Sequence, residues 1–60
     1  MNNKKIYDLK LIKTKLNNAM VLIEEIQNLL EDFPEVETSR LMGALDDLAQ
    51  QYYEIEDIQD

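Results

Sequence analysis

From Leu9 onward, apolar residues return every three or four positions without a break: Leu9, Ile12, Leu16, Ala19, Ile23, Ile26, Leu30 and Phe33. That period belongs to a helix with one apolar stripe facing a neighbour, as in a coiled coil. Neither glycine nor proline interrupts it before Pro34. A second row follows in Leu41, Leu45, Leu48, Tyr52 and Ile55. Between the rows stands DFPEVETS, where Pro34 cannot continue a helix without losing a hydrogen bond and biases Phe33 away from helical angles. Thr38 is the preferred N-cap of the second helix, with Ser39 beside it. An alternative start is a capping box of Asp32 and Glu35 with Pro34 in the first turn. The chain is therefore expected to be all-α, an antiparallel two-helix hairpin, with helix 1 over about 5–32, a turn over about 33–37 and helix 2 over about 38–58.

Folded antiparallel, the two rows align when residue numbers sum to about 71. Leu30 then meets Leu41, Ile26 meets Leu45, Ile23 meets Leu48, Ala19 meets Tyr52 and Leu16 meets Ile55. The same register sets the lysines of helix 1 beside Glu54, Glu56, Asp57 and Asp60, a pairing that favours the antiparallel direction. Residues before Leu11 then overhang the end of helix 2, leaving Ile6, Tyr7 and Leu9 uncovered. Further apolar residues flank the rows at Met20, Leu22, Leu29, Met42 and Ile58.

A chain of 60 residues has difficulty offsetting its conformational entropy by burial alone, and small domains are completed by disulfides, metals, oligomers or partners. Cysteine and histidine are both absent. That removes disulfides and the nitrogen and sulfur ligands of zinc sites, so self-association or a partner remains. The wide flanks point to a homodimeric four-helix bundle, with a hairpin completed on a different protein as the alternative.

Charge is divided along the chain. Residues 1–23 hold five lysines against Asp8, a net of +4, and residues 24–60 hold Arg40 against twelve carboxylates, a net of −11; together they give the total of −7. The acidic body argues against direct nucleic-acid binding, although the lysines beside Tyr7 form a weak signal of that kind. The start MNNKKIYDLK lacks the clean apolar stretch of a secretory signal, and the longest apolar run, Ala19–Ile23, falls far short of a membrane span. A cytoplasmic protein with no membrane association is expected.

Catalysis has little to work with. The sole serine is Ser39, a cap candidate, and Glu24, Glu25, Asp46 and Asp47 fall on outward positions without the Glu-x-x-His pattern of carboxylate metal sites in bundles. No catalytic residue, metal site or cofactor is expected. Gly43 lies within helix 2, either as a place where another chain approaches closely or as a break after a short first turn.

Leu45, Asp46, Leu48 and Tyr52 match the Leu-Asp-x-Leu…Tyr spacing of one known family. Over Pro34–Tyr53, a third of the chain, the sequence resembles the second half of the small aspartyl-phosphate phosphatases that regulate sporulation. The resemblance implies an antiparallel hairpin. Where that family carries Ser-Gln-Glu-Leu-Asp, this chain has Met42, Gly43, Ala44, Leu45 and Asp46, so the resemblance implies no phosphatase activity. The overall plan is also similar to dimeric plasmid RNA-binding hairpin proteins, a likeness of architecture that carries no function.

The functional expectation is a small acidic helical protein that binds and regulates or inhibits a partner protein, in the manner of phage or mobile-element regulators. The residues expected to bind are Ile6, Tyr7, Leu9 and Leu11 on the overhang, with Tyr53 and Asp57 on helix 2. Two other readings stay open: an acidic surrogate for nucleic acid that blocks a basic groove, and a purely structural assembly subunit. Ionic strength separates the groove blocker from an apolar assembly.

Overall fold

The computed structural model describes residues 3–59 and shows two antiparallel helices packed along their length, α1 (Asn3–Leu30) and α2 (Ser39–Gln59). The lower-numbered ends of both helices carry no acidic residue in the first turn, and neither last turn carries a basic one. The helices thus gain nothing from charge–dipole matching and depend on their packing.

The connection is longer than expected. Helix 1 ends at Leu30 rather than near residue 32, because the chain tightens before the proline. The Glu31 N–H donates to the Asn28 carbonyl (3.3 Å) and the Phe33 N–H to the Leu30 carbonyl (2.9 Å). These three-residue closures replace the four-residue α-helical bonds. Pro34 then occupies the second position of a turn closed by the Val36 N–H on the Phe33 carbonyl (3.0 Å), a position its fixed φ suits. The capping box at Asp32 does not form. Instead the Thr38 carbonyl accepts the N–H groups of Leu41 (3.0 Å) and Met42 (3.2 Å), which makes Thr38 the N-cap residue. The Ser39 hydroxyl turns back and donates to Glu37 Oε1 at 2.7 Å. Gly43 is no break: α2 runs through it with ordinary backbone angles.

The side of α2 turned to α1 is the expected one. Leu41, Leu45, Leu48, Tyr52 and Ile55 are half-buried, with Ala44, Ala49 and Glu56 on their flanks. Helix α1 presents a different side. Its half-buried row is Ile6, Leu9, Lys13, Leu16, Met20, Ile23, Gln27 and Leu30, with Ala19 beside it. Ile12 and Ile26, expected in the seam, are exposed, and so is Phe33 in the connection. The seam is thus rotated by one heptad position, about 50° around α1. Lys13 shows why a polar residue is accepted on the inner row. Its Nζ lies 3.5 Å from Glu56 Oε1 and 5.2 Å from the centre of the Tyr52 ring, while its aliphatic stem lines the helix contact.

Lys13 thus meets two residues one turn apart on α2, Tyr52 and Glu56. Asp60, expected beside the lysines, lies outside the described residues.

No residue among those described is fully buried. The molecule is a rod measuring 51 × 15 × 11 Å between Cα extremes, with a radius of gyration of 14.7 Å. A compact chain of this length would have a radius near 10 Å.

Candidate functional site

Helix α1 has 28 residues and α2 has 21. Helix α1 is thus seven residues the longer, about two turns. The six residues expected to bind lie on both helices. Ile6 and Leu9 are half-buried. They are expected to be uncovered, whereas both are partly shielded and continue the half-buried row of α1. Tyr7 and Leu11 are exposed, four residues apart on the outer surface of α1. Tyr53 and Asp57 are exposed in the same relation on α2. The Tyr53 ring stands edge-on to Tyr52, with centroids 6.0 Å apart and planes at 89°.

In an antiparallel pair of helices, equivalent heptad flanks share a side, so the hairpin has two distinct broad sides. One carries an open cleft of about 460 Å³ lined by Lys10, Lys13, Thr14, Asn17 and Tyr52. On this side α2 contributes the row Met42, Asp46, Ala49, Tyr53 and Glu56. The Thr14 hydroxyl is held by the Lys10 carbonyl at 3.1 Å. The cleft therefore combines two ammonium groups, an amide and a tyrosine face, groups that recognise carboxylate and carbonyl oxygens next to apolar carbon.

The other broad side is apolar on α1. Ile12, Ala19, Leu22, Ile26 and Leu29 follow one another at spacings of seven, three, four and three, with Lys15 filling the gap between the first two. Exposure is 43% at Ile12, 58% at Leu22, 45% at Ile26 and 71% at Leu29. This is a second heptad row, exposed except at the half-buried Ala19. The matching row of α2 is Ala44, Asp47, Gln51, Glu54 and Ile58, mostly polar; there the Gln51 amide donates to Glu54. Sequence periodicity had merged the two rows of α1 into one wide stripe. The signal that separates them is the placement of Leu22 and Leu29, which continue the exposed row but cannot reach the inner one.

The outward carboxylates Glu24, Glu25, Asp46, Asp47, Glu54 and Asp57 are exposed. Among the described residues, no three acidic side chains converge closely enough to hold a metal ion, and no helix is long and apolar enough to cross a membrane. Compared with models of protein families, with curated proteins and with solved structures, the chain matches none.

Proposed function

We propose that this chain is a non-catalytic interaction protein of the cytoplasm, a homodimeric four-helix bundle that uses one broad side of each hairpin for its own copy and offers the other to a protein it regulates. One observation carries this reading: no described residue is buried, while Ile12, Leu22, Ile26 and Leu29 stand exposed along one side of α1. The chain exposes 5114 Å² in all, against about 4,100 Å² for a compact monomer of 7.1 kDa, as its elongated shape requires.

The side bearing the cleft suits a protein partner. Tyr7 and Tyr53 supply exposed, rigid aromatic surface, and Lys10 and Lys13 line the cleft. Aromatic anchors surrounded by charge are the usual composition of binding hot spots, while the carboxylates outside them steer approach. The test is capture of partners from a lysate of the source cell on immobilised protein. Tyr7→Ala combined with Tyr53→Ala should remove the captured protein and leave helicity intact. Glu35→Lys combined with Glu37→Lys should leave it captured, with altered salt dependence. If the pattern is reversed, the acidic tip is the binding surface and the chain is an acidic surrogate for nucleic acid.

A further inference from the structure

We infer that a second copy of this chain covers the exposed row Ile12, Lys15, Ala19, Leu22, Ile26 and Leu29, with α1 packed antiparallel against α1 of that copy about a two-fold axis near Met20 and Val21. This rests on the homodimeric reading above and specifies which surface makes the dimer and in which direction.

Three observations support this occupant. The first is periodicity. Spacings of three and four sustained over 12–29 match a partner helix running the length of α1, not a small ligand or a crossing peptide. The row lies about 100° around α1 from the one that faces α2, which is the relation between the two neighbours of a corner helix in a four-helix bundle.

The second is self-complementarity. A two-fold axis brings a surface against itself, so large must meet small within the same row. Antiparallel pairing about residues 20 and 21 places Ile12 against the second copy's Leu29 and Lys15 against its Ile26. At the centre, Ala19, the smallest residue of the row, meets Leu22 from both directions.

The third is charge. The first 23 residues carry a net of +4, while Glu24 and Glu25 lie in the last two turns of α1 and Glu31 and Asp32 directly follow it. Antiparallel pairing sets basic start against acidic end in both copies. It brings Lys15 beside the second copy's Glu25. A parallel pair would stack like charges along the whole contact. The offset exceeds a right angle, so the two α2 helices stand farther apart than the two α1 helices, and Asp47 and Glu54 stay hydrated. α1 therefore carries the contact.

Charge reversal tested by mixing reads this geometry directly. Sedimentation equilibrium at low ionic strength should give a dimer for the unaltered chain. Lys15→Glu and Glu25→Lys should each weaken self-association by about tenfold, since the symmetry repeats each altered contact twice. Mixed in equal amounts, the two variants should recover the original affinity, because both cross-contacts are then attractive. Both residues are exposed, so the hairpin tolerates the changes, and circular dichroism of the mixture checks this. A dimer that neither variant weakens, or variants that the mixture fails to rescue, overturns the α1–α1 contact while leaving the dimer standing. A single-chain mass for the unaltered protein at high micromolar concentration overturns both.

Discussion

Lys13 and Gln27 occupy inner-row positions that their chemistry does not advertise. Each directly follows an isoleucine, Ile12 or Ile26, and periodicity alone prefers the isoleucine. Once two apolar rows share one helix, their average direction is the most conspicuous one, and it corresponds to neither. The true inner row is recovered only by asking which direction also uses Ile6 and Met20. Lys13 tolerates the position through its long stem and its contacts with Glu56 and Tyr52. The ion pair is partly exposed, at 23% and 44% for the two side chains, so it contributes at most about 1 kcal/mol. Lys13→Met should keep the packing and change stability by less than about 0.5 kcal/mol; a urea midpoint that falls by the equivalent of ~2 kcal/mol would show that the charge itself is needed. Gly43 gives the opposite case. A Cβ built there meets nothing within 4 Å, and the helix is continuous around it. Gly43→Ala should therefore stabilise the protein by about 0.5–1 kcal/mol, raising the melting temperature by about 2–8 °C. A lower melting temperature at equal chain concentration would place another chain against Gly43.

At the level of elements, the sequence specified most of the fold. Two helices, their antiparallel direction, Thr38 as N-cap and the inner row of α2 all follow from periodicity, Pro34 and charge. The connection was legible in place but not in length. Pro34 constrains Phe33, yet the tight closures at Asn28 and Leu30 arise from how α1 unwinds, which no single residue announces. The rotation of α1 was not legible, for the reason that it has two faces. Those faces should respond differently to the same insult. Ile23→Asp places a charge without a partner on the row between the helices and should destroy the hairpin, a loss of at least ~3 kcal/mol seen as collapse of the helical circular dichroism signal. Leu29→Asp changes the most exposed apolar side chain of the outer row. It should lower association while sparing the hairpin register, so that a proton-exchange map of the surviving helix still protects residues around Ile23 and Leu48. Equal loss of protection in both variants would mean that the two rows form one core.

For the whole molecule, the central relation is between a rod without an enclosed core and a side of that rod built like the inside of a bundle. Elongation raises surface relative to volume, and the hairpin alone cannot bury what its sequence makes apolar. Of the binding residues read from the sequence, Ile6, Tyr7, Leu9 and Leu11 belong to the overhang and Tyr53 and Asp57 to helix 2; Ile6 and Leu9 fall on the half-buried row of α1, and the other four are exposed. What the sequence could not separate was the inner row of α1 from its outer row, since both read as one apolar stripe. Folding coupled to association has a thermodynamic signature: the midpoint rises with chain concentration because dilution favours the unfolded chains. The direct measurement is thermal unfolding by circular dichroism across a thousandfold range of concentration, with mass determined at both ends. A dimer gives a midpoint that climbs steadily with concentration and a mass of two chains at the upper end; a constant midpoint with a mass of one chain throughout contradicts it.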